Sequence, residues 1–225
     1  MISVVVPTLW KFAPFLDFVD SLVKLPVIDN IIIINNNIAA TPSHAVLAHP
    51  KVIVFNFEKN IYVNPAWNLG VAHSKNKNVC ILNDDIIVDL KLFFKVDEFL
   101  TKEMGLLGFC PGRPEFNQHP ITNGQIDFVP WQGQHTFGCG SLFFVHQDNW
   151  NTIPEGLNVF YGDNWAFDTQ IYKGRQNWLI TNCFFYSPWA TSTTSLGNPH
   201  AILDQENPIY QMALQKIHDG TIVLH

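Results

Sequence analysis

The sequence predicts an α/β domain in which helices flank a mostly parallel central sheet. In the first half of the chain, apolar runs of strand length alternate with segments of helical spacing, a pattern typical of such a sheet. Several runs are β-branched and apolar throughout, as strands buried on both faces are. No internal repeat or linker-like stretch interrupts the pattern, so we expect a single domain.

The elements of the first half follow from these patterns in order. Ile2–Val6 is the first predicted strand, and apolar residues three and four apart within 12–23 predict a helix that packs on it. Asn64 and Pro65 are residue types typical of a helix start. The other predicted strands and the next helix are Ile31–Ile34, Val52–Phe57, Val79–Leu82 and Leu90–Leu100.

The second half of the chain is more irregular. Phe137–Val145 and Trp178–Tyr186 are predicted strands, and Asp163–Tyr172 is a predicted short helix. Residues 111–136 are rich in Pro, Gly, Gln, Asn and His and show little periodicity.

Composition narrows the class of protein. With 47% hydrophobic and 14% charged residues, we expect a soluble globular chain. No apolar run approaches the roughly 20 residues of a membrane-spanning helix, so we expect no membrane anchor, and the lack of a leader-like start favours the cytoplasm. The net charge of −6 disfavours nonspecific binding to nucleic acid. The cysteines lack CxxC spacing and are expected to be buried free thiols: Cys80, Cys110, Cys139 and Cys183.

Two carboxylates follow the fourth predicted strand, in the triplet Asn83, Asp84 and Asp85. The carboxyl ends of strands are where α/β sheets bind ligands, and carboxylate oxygens suit Mg²⁺ or Mn²⁺. The triplet therefore predicts a divalent cation that bridges to a diphosphate. The alternative is that these residues only end the strand and cap the next turn.

The order of these features resembles the nucleotide-binding half of GT-A fold glycosyltransferases, especially those of family 2. The segments that carry the resemblance span about residues 2–90: Ser3–Thr8, Ile31–Asn37, Asn60–Ala72 and Asn83–Asp85. It implies one domain with a nucleotide-sugar-binding half at about 1–110 and an acceptor-binding half with a tail at about 111–225.

The resemblance also implies the residues of a nucleotide-sugar site. By this resemblance Asp85 binds the metal, and the nucleotide-sugar site comprises Pro7, Thr8, Asn36, Asn68, Asn83 and Asp84. Among these, Pro7, Thr8 and Asn36 would line the nucleoside pocket, and Asn83 would face the ribose. Trp67 stands where the family usually has Arg, and we expect it to pack on the sheet.

A second cluster resembles the acceptor half of such enzymes. His135–Ser141 would be its glycine-rich strand, and Gly162–Asn164 corresponds to a helix start that carries the catalytic base. Asp163 is the candidate base and Asp168 the reserve, although Asp at a helix start is also an ordinary cap. Family members often place a His after the last core strand as a metal ligand, and the nearest here is His200, although a lone His is more often a surface or packing residue.

Together these features predict a metal-dependent glycosyltransferase that uses Mn²⁺ or Mg²⁺ and a nucleoside diphosphate sugar, with UDP as the expected nucleotide. The alternative is a catalytically silent carbohydrate- or nucleotide-binding module of the same fold. A sugar nucleotidyltransferase is disfavoured, because the only basic residue directly after the first strand is Lys11, with no glycine-rich loop.

The small size of the chain resembles viral and phage glycosyltransferases, which would act in the host cytoplasm. That resemblance implies a viral glycan or a hydroxymethylated DNA base as the acceptor. The negative net charge weighs against DNA.

Overall fold

The computed structural model describes residues 1–109, 125–133, 139–188 and 197–224. Its strands are β1 (Ile2–Thr8), β2 (Ile28–Asn35), β3 (Val52–Asn56), β4 (Asn78–Leu82), β5 (Ile87–Val88), β6 (Leu107–Phe109), β7 (Asp127–Pro130), β8 (Leu142–His146), β9 (Trp178–Thr181) and β10 (Phe185–Tyr186). Eight of them form a sheet in the order β3-β2-β1-β4-β8-β6-β9-β7, and β5 pairs with β10.

The sheet is parallel on one side and mixed on the other. Strands β3, β2, β1 and β4 run parallel, β8 is antiparallel to both β4 and β6, and β9 is parallel to β6 but antiparallel to β7. The carboxyl ends of β1, β2 and β4 therefore lie at one edge. Leu82 at the end of β4 pairs with Leu142 at the start of β8, so β8 begins at this edge.

Helices cover both faces of the sheet. They are α1 (Phe15–Val23), α2 (Val63–Ala72), α3 (Lys91–Phe99), α4 (Gly162–Tyr172) and α5 (Pro199–His218). Helices α1 and α3 pack with Val4 and Val6 in one hydrophobic cluster, whereas α2, α4 and α5 pack with Val5 in the other, because successive strand residues point to opposite faces. Within the described ranges, no helix has both the length and the apolar composition needed to cross a bilayer.

The predicted α/β class is confirmed, and the elements of the first half lie close to their predicted positions. The start of α2 differs in detail. The helix begins at Val63, its N-cap residue is Tyr62, and no side chain caps it. Asn64 is fully buried inside the first turn and is not the cap.

The second half departs further from the prediction. Strands β9 and β10 replace one strand over Trp178–Tyr186, because Asn182 between them has a φ of 55°, outside the β region. The described part of Phe137–Val145 contains β8, and residues 137 and 138 lie outside the described residues. The 20-residue helix α5 is not predicted at all, because Pro208 lies inside it and is normally a helix breaker.

Several side chains are buried as expected. Trp67 packs edge-on against Phe143 with ring centroids 5.3 Å apart, which supports its packing role. Cys80 and Cys183 are buried free thiols, whereas Cys110 and the side chain of Cys139 lie outside what the structure describes.

The contact between α2 and β1 leaves no space for a side chain at Gly70, where a Cβ atom would lie 2.1 Å from Cγ1 of Val5. Gly to Ala inside a helix is ordinarily stabilising by about 1 kcal/mol. Here we expect Gly70→Ala to lower the free energy of unfolding by about 1–3 kcal/mol through overpacking, measured by urea denaturation. Adding Val5→Ala should recover part of the loss. A variant as stable as the wild type would contradict this close approach.

Candidate functional site

Three predicted site residues meet at the carboxyl edge of the sheet. The hydroxyl of Thr8, the last residue of β1, donates a 2.6 Å hydrogen bond to Oδ2 of Asp84 in the turn after β4. The Leu9 N–H donates to the same oxygen at 3.3 Å. On the other side, the Asn36 N–H donates to the carbonyl of Thr8 at 2.9 Å. Thr8 thus joins the ends of β2 and β4, and Pro7 is buried just before it.

The two carboxylates of this turn are buried. Asp84 is 5% exposed and Asp85 is 7% exposed. Burial raises the pKa of the Asp84 carboxyl to about 6; the hydrogen bond from Thr8 opposes the rise, and the neighbouring charge of Asp85 adds to it. Burial therefore makes the negative charge of Asp84 unfavourable in the folded chain.

Amide side chains brace the wall formed by the end of β2. The Asn35 side chain accepts a hydrogen bond from the Trp10 ring N–H at 2.7 Å and donates one to Asn56 at 2.7 Å. Oδ1 of Asn36 accepts from the Ile61 N–H at 3.1 Å. Trp10 has a φ of 60°, a left-handed backbone that is uncommon outside glycine and asparagine. The loops around Thr8 are thus tied together by side-chain amides.

The turn after β4 is connected to Asp163 through a two-residue segment. The Asn83 N–H donates to the carbonyl of Ser141 at 3.0 Å. The N–H of the preceding residue, Gly140, donates to Oδ2 of Asp163 at 3.1 Å. Since Gly140 and Ser141 directly precede β8, its antiparallel pairing with β4 brings the two predicted carboxylate sites to the same edge.

Asp163 lies in the first turn of α4, whose N-cap residue is Tyr161 with a φ of 59°. Its second oxygen, Oδ1, accepts the Asn164 N–H at 2.9 Å, a position in which the helix dipole favours negative charge. A Cβ atom at Gly140 would lie 3.1 Å from the Asp163 side chain, so glycine permits the close approach. The carboxylate is thereby oriented by two backbone donors.

Two predicted residues have side chains engaged elsewhere. The side-chain amide of Asn68 donates to the Ile153 carbonyl at 3.0 Å and accepts from the Trp150 ring N–H at 3.2 Å. The Asp168 carboxylate accepts a hydrogen bond from the hydroxyl of Tyr210. Both side chains therefore connect secondary-structure elements, and neither is joined to Asp84 or Asp163 by the hydrogen bonds described above.

His200 does not join the acidic pair. It is exposed in the first turn of α5, a helix capped by Asn198 and packed on the α2 and α4 face of the sheet. Among the residues that the structure describes, no group of three or more His, Cys, Asp or Glu side chains could hold a metal ion. The described residues therefore do not group His200 with Asp84 and Asp85, and its role as a metal ligand stays a prediction.

Comparison with known proteins gives the family. Residues 3–175 match the family described as Glycosyl transferase family 2, which is more than half of the chain. The chain belongs to glycosyl transferase family 2. The matched region contains the acidic pair and Asp163, while α5 lies beyond it. No curated protein matches this family 2 chain in sequence.

Solved structures share the fold of this family 2 chain at low sequence identity. Residues 1–349 of S. aureus TarS in complex with UDP-GlcNAc align with a TM-score of 0.58 and 14% identity, over 83% of this chain and 58% of that one. A longer S. aureus TarS chain gives 0.57 and 14%, over 83% and 36%. GalNAc-T7 with UDP, GalNAc and Mn²⁺ gives 0.53 and 12%, over 83% and 43%. This chain thus spans between 36% and 58% of the length of these structures.

The acidic pair has the chemistry of a cation site that is shared with a ligand. Mg²⁺ and related ions are usually held by one or two carboxylates together with substrate phosphates. Asp84 and Asp85 supply two such carboxylates, and a cation would relieve the unfavourable burial of the Asp84 charge. The pair therefore fits an ion that binds together with a diphosphate.

Sequence reasoning missed four residues around the site. They are Trp10, Asn35, Asn64 and Glu206. Trp10 and Asn35 lie close in sequence to the predicted site residues Thr8 and Asn36, so their position in the chain could have indicated that they belong to the site. The sequence around Glu206 gave no indication that this residue is buried, because its burial depends on how α5 packs. The start of α5 does have a local indication, the Asn-Pro pair at 198–199.

Asp84→Asn should stabilise the metal-free family 2 chain at pH 7. A pKa raised from 3.8 to about 6 means that the folded state disfavours the carboxylate, at a cost of up to about 3 kcal/mol. The cost is absent below about pH 4 and complete above about pH 6. Thr8 and Leu9 both donate to Oδ2, so a single amide oxygen can still accept both hydrogen bonds.

The measurement is urea unfolding in EDTA at several pH values between pH 4 and pH 7. The stability gain of Asp84→Asn should grow with pH across this window. Glu155→Gln, at an exposed loop position, controls for the loss of one negative charge. A gain that does not vary with pH would contradict the burial argument.

Proposed function

We propose that this chain transfers a sugar from a nucleoside diphosphate donor, with UDP as the nucleotide, to an acceptor hydroxyl. One observation carries the proposal. The acidic turn after β4 and the carboxylate of Asp163 are hydrogen-bonded to adjacent residues, Ser141 and Gly140. A carboxylate pair suited to a diphosphate and a single carboxylate suited to proton transfer therefore share one edge of the sheet.

On the donor side, we propose that Pro7, Thr8 and Asn36 line the nucleoside pocket and that Asn83 faces the ribose. The hydrogen bond between Thr8 and Asn36 supports a common wall formed by the ends of β1 and β2. The side-chain amide of Asn83 can donate to or accept from a ribose hydroxyl. Asn68 is left out of this pocket, because its amide oxygen and nitrogen are both bonded within the protein.

The acidic pair would hold Mn²⁺ or Mg²⁺ together with the diphosphate, with Asp85 as the metal ligand. When bound, the ion supplies positive charge that favours departure of the diphosphate. Asp84 fixes the turn by accepting from Thr8 and Leu9, so the neighbouring Asp85 carboxylate is held at the edge of the sheet. The solved GalNAc-T7 structure, which contains UDP and Mn²⁺, supports this proposal at the level of the fold.

On the acceptor side, Asp163 would act as general base in an inverting reaction. Its carboxylate takes the proton of the acceptor hydroxyl while that oxygen forms a bond to the anomeric carbon. The bond from this carbon to the diphosphate oxygen breaks, and the nucleoside diphosphate leaves with the electron pair. The N–H groups of Gly140 and Asn164 keep the carboxylate oriented before the reaction.

Other parts of the sequence-based hypothesis remain predictions. They are the identity of the acceptor, whether a glycan or a hydroxymethylated DNA base, the viral or phage origin, and a cytoplasmic location. A screen of UDP-, GDP- and dTDP-sugars for release of the nucleoside diphosphate in Mn²⁺, with water as acceptor, identifies the donor for the kinetic tests below.

Asp85→Ala should abolish the dependence of UDP binding on Mn²⁺ while the protein stays folded. The carboxylate lies at the edge of the sheet, so its loss removes charge next to the diphosphate without opening the hydrophobic core. Isothermal titration of UDP with and without Mn²⁺ measures the effect. The affinity of Asp85→Ala in Mn²⁺ should fall to the value that the wild type shows without the ion.

Asp89→Asn is the matched control, since it removes one negative charge four residues along the chain. It should keep the Mn²⁺ dependence of UDP binding. Unchanged Mn²⁺-dependent affinity in Asp85→Ala would contradict the metal assignment. A wild-type protein that binds glycans but shows no metal-coupled nucleotide affinity would favour the alternative of a catalytically silent module.

Asp163→Asn should lower kcat by about 10²–10⁴-fold and leave the KM for the donor nearly unchanged, because a general base acts only on the acceptor. Asn caps helices about as well as Asp, so the melting temperature should change little. Asp148→Asn, an exposed carboxylate paired with Lys102, controls for the charge. Wild-type turnover in Asp163→Asn would move the role to Asp168 or to a retaining mechanism without a protein base.

A further inference from the structure

The loop that leads into α4 is held by side chains of two other helices. Residues 158–160 form this loop, and Tyr161, Gly162 and Asp163 follow it in that order. The loop itself is neither helix nor strand, so its backbone groups need partners outside regular secondary structure. Glu206 of α5 binds its N–H groups, and Asn64 of α2 binds its carbonyl groups.

Glu206 is an unusual side chain for a protein core. It is 3% exposed, although glutamate is rarely buried without a charged or hydrogen-bonding partner. One oxygen accepts the N–H of Asn158 at 2.9 Å and that of Val159 at 3.1 Å, and the other accepts the N–H of Phe160 at 2.7 Å. A single carboxylate thus binds three consecutive backbone donors.

Asn64 completes the contacts of the loop from the opposite side. Its backbone N–H donates to the carbonyl of Asn158 at 3.0 Å, and its side-chain amide donates to the carbonyl of Phe160 at 2.9 Å. A Cβ atom at Gly162 would lie 2.0 Å from Oδ1 of Asn64, so the start of α4 rests directly on this side chain. The loop is therefore clamped between α2 and α5.

Tyr210, one helical turn after Glu206, extends the contact from α5 to α4. Its ring stacks on that of Tyr161, with centroids 4.8 Å apart and planes 16° apart, and its hydroxyl donates to Asp168. Tyr161 is the N-cap residue of α4 and has a left-handed backbone conformation. Helix α5 thus contacts the loop, the N-cap residue and the second turn of α4.

We propose that Glu206 is a positioning residue for Asp163, an inference that rests on the proposed role of Asp163 as general base. The carboxylate of Glu206 sets the path of 158–160, this path sets where α4 begins, and the first turn of α4 carries Asp163 to Gly140. Glu206 acts through the backbone and has no direct part in proton transfer.

The charge and shape of the carboxylate are both needed for this role. A carboxylate offers only acceptors, so both of its oxygens can bind backbone N–H groups. In Glu206→Gln, one oxygen becomes an NH₂ group that faces an N–H donor, which leaves a buried donor unpaired. The loop should then shift while α5 keeps a side chain of the same size.

The first test compares Glu206→Gln with its control, Asp204→Asn, in the full chain. Asp204 is exposed and lies two residues earlier in α5. With the donor sugar found in the screen, Glu206→Gln should lower kcat by about 10-fold to 100-fold, the effect of a displaced reacting group, and leave the donor KM within a factor of about two. Asp204→Asn should change neither. Equal kcat values for Glu206→Gln and wild type would overturn the proposal.

The second test combines Glu206→Gln with Asp163→Asn. If Glu206 acts only through Asp163, its substitution should cause no further loss of kcat in the Asp163→Asn background. If the loss of kcat in the double variant equals the product of the two single losses, Glu206 does not act through Asp163. Glu206 would then have only a general structural role. If Asp163→Asn alone retains wild-type kcat, the proposed base is wrong, whatever the result for Glu206.

The third test needs no activity. Backbone amide hydrogen exchange of 158–160 should be accelerated in Glu206→Gln and unchanged in Asp204→Asn. Glu206→Asp keeps both carboxylate oxygens on a shorter side chain, so its protection from exchange and its kcat should lie between those of Glu206→Gln and wild type. This variant replaces Glu206→Gln in the test if the Gln variant does not fold. If all three amides of 158–160 exchange at the wild-type rate in Glu206→Gln, the proposed clamping of the loop is wrong. If the Gln variant does not fold, the same result in Glu206→Asp leads to the same conclusion.

Discussion

The antiparallel pairing of β8 with β4 is the contact on which the geometry of the site depends. Because β8 starts where β4 ends, the residues that precede it lie beside the acidic turn, with Ser141 bonded to Asn83 and Gly140 bonded to Asp163. The parallel half of the sheet alone could place Thr8 next to Asp84. The reversal at β8 connects that half to the carboxylate of α4 through Ser141 and Gly140.

The site is built at a cost in stability that its proposed ligands would offset. Asp84 and Asp85 are buried side by side, and the negative charge of Asp85 is unfavourable for that of Asp84. Removing a charged group from water is unfavourable unless hydrogen bonds or a counter-ion compensate. Thr8 and Leu9 compensate in part for the burial of Asp84, and these hydrogen bonds hold the turn in place. Negative charge is therefore concentrated at the edge where four parallel strands, β3, β2, β1 and β4, end.

The proposed acceptor side is held together in a different way. The N–H and carbonyl groups of an irregular loop are bonded to Glu206 and Asn64, which come from helices distant in sequence. An irregular segment can be rigid when buried side chains bind its backbone, since each bond left unmade would cost free energy. This arrangement couples α2 of the proposed donor half, α4 with Asp163, and α5 beyond the region that matches family 2.

The sequence by itself determined the α/β class, the strands and helices of the first half, and the acidic turn after β4, because hydrophobic periodicity and strand-end residues are local signals. A local resemblance also suggested Asp163 as the candidate base, and that role stays a prediction. The burial of Glu206, the internal contacts of Asn68, the exposure of His200 and the contact of Asn64 with the 158–160 loop were decided only by the tertiary structure. These depend on pairs of residues that are far apart in the chain, such as Glu206 with Asn158 and Asn68 with Ile153, and no local pattern encodes which distant backbone group a polar side chain will reach.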